Sequence, residues 1–296
     1  MFTFSVIIPA YKRPAVLAET LDHLSAQTLG GRTLEVIVID DDASAEVQTL
    51  VSRYSEKFGN VVYLSQPNEG QSRARNRGIA EARADLLFLT GDDILPEPDA
   101  LQRHFDFHSK TVDKKVVALG KIDIDPRLSG DEFIHWLNNG GPQNSFHKLT
   151  EEGLIAPDLV EAAHVSLQRS DAVKFPFDER LRYFENFCWT QGLSRSGFKF
   201  YYLPAARSTH YHPVTLEQFG DRMFQIGKTL ALLNREGRDY FRTMAGFVRP
   251  VSAWKITGYK FLGELFGSRK HLRKYWKSYL NRCQYRGFHA FEKGVD

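Results

Sequence analysis

A chain of 296 residues is long enough for one large domain with an appendage, or for two small domains. Its 42% hydrophobic and 25% charged residues are ordinary for a globular protein and exclude wholesale disorder. The net charge of +3 conceals an asymmetry: 16 Lys and Arg against 7 Asp and Glu from Leu216 onward, and 23 against 29 before it. An acidic body suits a cation site, and a basic tail suits an anionic partner such as a membrane surface. Cys188 and Cys283, 95 residues apart, are too few for a disulfide framework and match no zinc spacing, which fits a reducing, cytoplasmic location. No apolar run approaches the ~18 to 20 residues that span a bilayer. The short apolar N-terminus has no basic region before it and is interrupted by Pro9, which predicts a strand and not a signal peptide.

In chain order, Phe4 to Ile8 predicts the first strand. Pro14 opens a helix carrying Leu17, Leu21, Leu24 and Thr28, which Gly30-Gly31 ends. Leu34 to Ile39 is apolar except for Glu35 and predicts a strand buried on both faces. Further strands are predicted over Val61 to Leu64, Leu86 to Leu89 and Val116 to Gly120, with helices over Ser72 to Ala84 and Pro98 to Ser109. This alternation implies βαβ units and a mostly parallel sheet, whose ligands bind beyond the carboxyl ends of the strands. Residues 120–157 are expected to form loops and short helices over the site. His164 to Gln168 and Lys199 to Leu203 predict two more strands, and the chain from Leu216 is expected to be helical. No internal repeat or low-complexity segment is present.

The residues after the strands carry the chemistry. Asp40, Asp41 and Asp42 follow one strand; Asp92 and Asp93 follow another. Clustered like charges are unfavourable unless a cation or hydrogen-bond donors hold them. A hard divalent cation shared with substrate phosphates suits Asp92 and Asp93, and ribose hydroxyl or base N–H groups suit the first cluster. Either cluster taken alone is also what turns and helix caps use. Between them, Asn68-Glu69-Gly70-Gln71-Ser72-Arg73-Ala74-Arg75-Asn76-Arg77-Gly78 joins a strand to a helix. Its amides and arginines suit a diphosphate, and the alternative is a solvated arginine face.

Together these segments resemble the family-2 glycosyltransferases of the inverting GT-A fold. Ser5 to Arg13 is similar to that family's first strand and loop, and Glu35 to Ser44 to its nucleotide-binding strand. Asn68 to Gly78 matches its pattern NxGxxxARNxG, Leu87 to Pro96 is similar to its metal-binding DxD region, and Phe177 to Leu181 to its FDE motif. The resemblance covers about residues 3 to 215, and the order and spacing of five motifs make it specific. It implies an α/β, Rossmann-like, mostly parallel sheet flanked by helices over residues 1–215, to which the helical reading of residues 216–296 adds a C-terminal extension. It implies an inverting hexosyltransferase that takes a nucleotide diphosphate sugar, UDP-sugar favoured, with Mg2+ or Mn2+.

The resemblance also assigns residues. Pro9, Tyr11, Arg13, Asp41, Asp42, Asn68, Gly70, Arg75, Asn76 and Asp92 would bind the donor, and Asp92, Asp93 and His210 the metal. The register of the three aspartates leaves Asp41 and Asp42 both open for the base or ribose. Thr90 stands where the family has its first metal-site Asp. Inversion needs a base for the acceptor hydroxyl. The family places it in a Glu-Asp pair; here Asn186 holds the Asp position, so Glu185 is the remaining carboxylate and the expected base. Glu185 could instead orient the acceptor or cap the following helix. His164, Trp136 and Trp189 are the expected acceptor-binding residues, a flat ring being complementary to a sugar face; for tryptophan the competing expectation is a place in the core.

Between Pro250 and Phe291 nine Lys and Arg stand with one Glu, interspersed with aromatic residues. That predicts peripheral attachment to an anionic membrane, suited to a carbohydrate or lipid-linked acceptor; a helical cap with a solvated basic face is the competing reading. No nucleic-acid-binding motif is present. A nucleotidyltransferase would need a glycine-rich, lysine-containing loop after the first strand, and Ala10 to Pro14 has no glycine. A non-catalytic nucleotide-sugar or partner-binding member of the same fold is the alternative that Thr90 and Asn186 raise.

Overall fold

The computed structural model describes residues 2–143, 145–238 and 251–294. The chain divides into two compact units: Met1–Ser129 with Asn144–His212, and Gly130–Gln143 with Pro213–Asp296.

The first unit is built on one sheet of nine strands: β1 (Phe4–Ala10), β2 (Leu34–Asp40), β3 (Val61–Ser65), β4 (Leu86–Thr90), β5 (Ile94–Pro96), β6 (Val116–Ile124), β7 (Gly153–Ile155), β8 (His164–Gln168) and β9 (Lys199–His210). Their order is β3-β2-β1-β4-β8-β6-β9-β5, with β7 beside β9. The pairs among β1 to β4 are all parallel, as is β6 with β9; the pairs made by β8, β5 and β7 are antiparallel. The helices of this unit are α1 (Pro14–Ser25), α2 (Ala45–Phe58), α3 (Gln71–Glu81) and α4 (Ala100–Lys110). After α5 (Glu132–Asn138), which belongs to the second unit, come α6 (Arg169–Lys174) and α7 (Glu185–Arg195).

Every residue of β1 is buried. Its alternate side chains feed two cores: Val6 and Ile8 pack with Leu17, Leu21, Val47, Val51 and Leu101 of α1, α2 and α4. Ile7 packs on the other face with Ala74 and Ile79 of α3 and Leu193 of α7. Helix α3 lies hard against the sheet because Gly78 has no side chain; a Cβ there would come within 2.6 Å of both Ile7 and Ile39. The charge in the middle of β2's apolar run, Glu35, is fully buried and fully used. It accepts from Ser5 Oγ at 2.5 Å and from Arg83 N and Nε at 2.6 Å each, which locks the turn before β4.

Several features differ from the sequence expectation, β6 among them, which runs past Gly120 to Ile124. β9 does not stop at Leu203 but runs to His210, with a register shift against β6 between Gly120 and Lys121. β5 and β7 have three residues each, too few for alternation to register. Helix α1 ends at Ser25, so Thr28 lies beyond it and donates its N–H to Pro98 O.

The second unit packs α5 with α8 (Leu216–Arg235), α9 (Ala253–Leu265) and α10 (Arg269–Glu292). Its core joins Phe133, Trp136 and Leu137 to Phe219, Met223 and Leu280. Helices α8 and α10 approach to backbone contact at Gly227 and Gly287. A Cβ at either would lie about 2 Å from a carbonyl oxygen of the other helix (2.1 Å and 1.9 Å). Thr215 caps α8 with a reciprocal box, its side chain taking Gln218 N while Gln218 takes Thr215 N.

Candidate active site

The sheet order places the switch point between β1 and β4, where the chain's connections diverge to the two sides. The register shows the crevice opening. Pairing of β1 with β2 continues to Ala10 opposite Asp40, but pairing of β1 with β4 stops at Ile7 opposite Leu89. Pro9 contributes no N–H at this point. It is buried in the ladder opposite Ile39, so its part in the expected donor site is to shape the backbone.

Around this crevice three clusters form. The first is centred on Asp93 Oδ2. His210 Nε2 lies 3.2 Å from it, His212 Nδ1 3.1 Å and Arg13 Nη1 2.6 Å. The two imidazoles stack in parallel at 5.3 Å. Arg13 also bonds Asp92 Oδ1 through Nη2 and approaches His212 Nδ1 at 2.8 Å. Asp92 is held from two sides, by Tyr11 N on its carboxylate and by Thr20 Oγ1 on its carbonyl. Burial pushes the Asp92 carboxyl up to about 7, against the pull of Arg13. Burial opposes the Asp93 charge as well, but His210, His212 and Arg13 together hold that carboxyl well below the usual range. One carboxylate and two imidazoles, with ligand atoms within 4.8 Å of one another, can hold a metal ion. This donor set, one carboxylate oxygen and two imidazole nitrogens, fits a divalent cation. His212, absent from the expected metal set, stands among these candidate ligands. The signal was the HxH spacing, which sends both rings to one side of an extended segment.

The second cluster distinguishes the three aspartates. Asp40 is consumed by its own turn, accepting from Asp42 N, Ser44 N and Tyr63 OH. Asp41 accepts from Gln66 Nε2, Glu69 N and Gly70 N at 2.8 to 2.9 Å and so fixes the loop before α3. Asp42 keeps an accessible carboxylate, with Lys12 Nζ at 3.7 Å. Asn68 donates to Tyr11 OH at 3.1 Å and accepts from Arg182 at 3.0 Å, which ties this loop to the first cluster. Lys12, Ala43 and Phe184 are the non-glycine residues with left-handed backbone among the described residues, and all three lie in these loops. Such strain, about 1 to 2 kcal/mol each, collects at functional sites.

The third cluster surrounds Glu185, the first residue of α7, where the helix N-terminus favours a carboxylate. Arg75, 1% exposed, reaches Glu185 Oε1 at 3.2 Å and Asn186 Oδ1 at 3.0 Å. With its amide nitrogen toward Glu185, Gln71 donates to Oε1 and accepts from Arg75 Nη2, both at 3.0 Å. Burial lowers the Arg75 pKa and Glu185 opposes that. Arg75 and Asn76 therefore do not serve the donor as expected. Within the chain, both terminal nitrogens of Arg75 are bonded, to Glu185, Asn186 and Gln71, while its buried Nε has no partner, and Asn76 bonds Phe177 N, Phe177 O and Glu179. The motif from Asn68 to Gly78 thus fastens the segment 177–186 to α3.

The three expected acceptor residues are packing residues. His164 is fully buried, edge-on to Phe88 and 5.1 Å from the His104 ring. Trp189 is 5% exposed, stacks on Phe177 at 4.5 Å and donates Nε1–H to Phe175 O. Trp136 lies in the helical unit's core, its ring against Phe133 and Trp276. None leaves an aromatic face free for a sugar, because each ring is already used for burial. His164 and Trp189 come from β8 and α7, whose inward positions fill the core.

The family model described as Glycosyl transferase family 2 matches residues 5–157. The amylovoran biosynthesis glycosyltransferase AmsB of Erwinia amylovora is 29% identical over 229 residues, 74% of this chain and 72% of its own. Across the first three curated relatives the chain spans 13%, 72% and 30% of their lengths. Among solved structures, the mannosyltransferase PcManGT from Pyrobaculum calidifontis, in complex with GDP-Man and Mn2+, has a TM-score of 0.63 at 15% identity, covering 95% of this chain and 85% of that one. TarS 1-349 of S. aureus in complex with UDP has a TM-score of 0.59 at 18% identity, covering 99% and 92%. The mixed α/β fold with a mostly parallel central sheet is that of the GT-A glycosyltransferases.

Proposed function

The chain belongs to glycosyl transferase family 2, and from that premise we propose that it transfers a hexose, with inversion, from a nucleotide diphosphate sugar to a hydroxyl of a carbohydrate or lipid-linked acceptor. The work of such a reaction is polysaccharide or glycolipid assembly, as in the name of AmsB. The observation that carries the reading is the convergence of Asp93, His210, His212 and Arg13 at the mouth of the β1/β4 crevice, beside the accessible Asp42.

In this reading Tyr11, Asp42 and the 68–70 loop hold the nucleoside. Asp93, His210 and His212, with Asp92 adjacent, would hold Mn2+, which when bound supplies positive charge for the leaving diphosphate. The acceptor oxygen attacks the anomeric carbon from the face opposite the diphosphate. The new C–O bond forms as the bond to the diphosphate breaks, and the proton passes to Glu185. Arg75 and Gln71 fix the carboxylate that receives it. UDP is the first nucleotide to test, since TarS was solved with it.

The test is Glu185→Gln. A base contributes about 10²- to 10⁴-fold, so turnover should fall by that factor while donor affinity is unchanged. Full activity in the variant would remove Glu185 from the mechanism.

A second reading rests on the Arg13 contacts. Arg13 bridges both carboxylates at the crevice, so its guanidinium could turn to the diphosphate in place of the ion. Turnover that survives EDTA but not Arg13→Gln would favour it.

A further inference from the structure

Helix α9 carries a surface that the transfer reaction does not use. Trp254, Phe261 and Leu265 on it, and Phe266 just after it, are exposed at 73%, 59%, 60% and 69%. With 3.6 residues per turn, Trp254, Phe261 and Leu265 fall within an arc of roughly 40°. The opposite side is the packed one. Gly263 is buried there, and a Cβ on it would come within 2.7 Å of Leu272 on α10. The apolar stripe is therefore directed away from the helix pair and is not part of its core. Lys255 and Lys260, both exposed, lie roughly 100° to 120° to either side of the stripe. Exposed Lys270, Arg273 and Lys277 add to the charge on α10. The single acid in this stretch, Glu264, is 3.9 Å from Lys260.

We propose that α9 docks in the headgroup region of an anionic bilayer, with Trp254, Phe261 and Leu265 inserted among the acyl chains and the flanking lysines at phosphate level. The charge selects the occupant. A stripe rimmed by lysines is complementary to anionic lipid, whereas pairing it with a second copy of itself would bring like charges together. A convex helical ridge also suits a flat, deformable surface. The helix lies on the membrane and does not cross it, since no helix among the described residues is long and apolar enough to span one. The inference does not depend on the transfer chemistry, because none of these residues belongs to the site around Asp93.

The experiment is flotation of the full chain with vesicles of phosphatidylcholine alone and of phosphatidylcholine with 30% phosphatidylglycerol. Binding is expected only to the anionic vesicles and should weaken as salt is raised. Trp254→Ala with Phe261→Ala should lower binding by at least tenfold, and so should Lys255→Glu with Lys260→Glu. Far-ultraviolet circular dichroism and thermal unfolding, unchanged in both variants, verify that they fold. No binding to anionic vesicles would overturn the proposal. So would binding indifferent to the stripe, or a stripe-dependent dimer or RNA complex found in place of vesicle binding.

Discussion

At Asp93 Oδ2, Arg13 lies closer, at 2.6 Å, than either histidine nitrogen. A guanidinium and a divalent cation cannot both have that oxygen at close range without mutual repulsion. Arg13→Gln should therefore bind Mn2+ more tightly than the wild type in the absence of nucleotide, as free-Mn2+ signals in electron paramagnetic resonance would register. Equal or weaker Mn2+ binding would mean that the arginine orients the carboxylates and does not compete for them. Much of this cluster was legible from residue type and position after a strand: Arg13, Asp92, Asp93 and His210 all converge. The distinction among Asp40, Asp41 and Asp42 was not legible, because it depends on where Gln66, Glu69 and Tyr63 return in space. Arg75 was misread for a related reason. An arginine in a charged run predicts solvent or phosphate, and only the position of α7 reveals a buried carboxylate facing it.

Among elements, α3 links the two halves of the site. Its sheet-facing side depends on Gly78, so Gly78→Ala should drive a methyl into Ile7 and Ile39 and lower stability by about 1 to 3 kcal/mol. Urea denaturation would measure it, and an unchanged midpoint would show that the helix can retreat at no cost. A second element-level feature joins α4 to β8. His104 and His108 both reach Ser166 Oγ, at 2.7 and 2.8 Å, and His104 abuts His164. Burial lowers all three: His104 well below the ordinary value, His108 to about 4 and His164 to about 3, with His164 and His108 repelling charge on His104 and Lys114 repelling charge on His108. The unfolded chain protonates these rings near pH 6.5, so it binds more protons than the folded one between about pH 4 and 6.5. Stability is then full above this window and lost as pH falls through it. The urea midpoint should drop from pH 7.5 to 5.5, and by less in His108→Gln; equal drops would contradict this origin. Helical and strand periodicity made α1, α3, α4 and β1 to β4 readable, whereas α2 was not among the predicted helices. It could not show that β9 continues to His210, since its register shift against β6 is set by the partner strand.

For the whole molecule, the sequence divided at Leu216 by charge, and the structure places Gly130–Gln143 with the helical unit as well. That segment joins through Phe133, Trp136 and Leu137, whose partners lie more than 80 residues away in the chain, beyond the reach of local pattern. In the sheet-bearing unit, the proposed function requires that a nucleotide diphosphate be held at the β1/β4 crevice through a cation on Asp93, His210 and His212. Isothermal titration of UDP into the full chain, with and without Mn2+, and into Asp93→Asn, tests it most directly. Tight binding that requires Mn2+ in the wild type and is lost in the variant is the expected result. UDP binding of equal strength without the metal, and undiminished in Asp93→Asn, would contradict it.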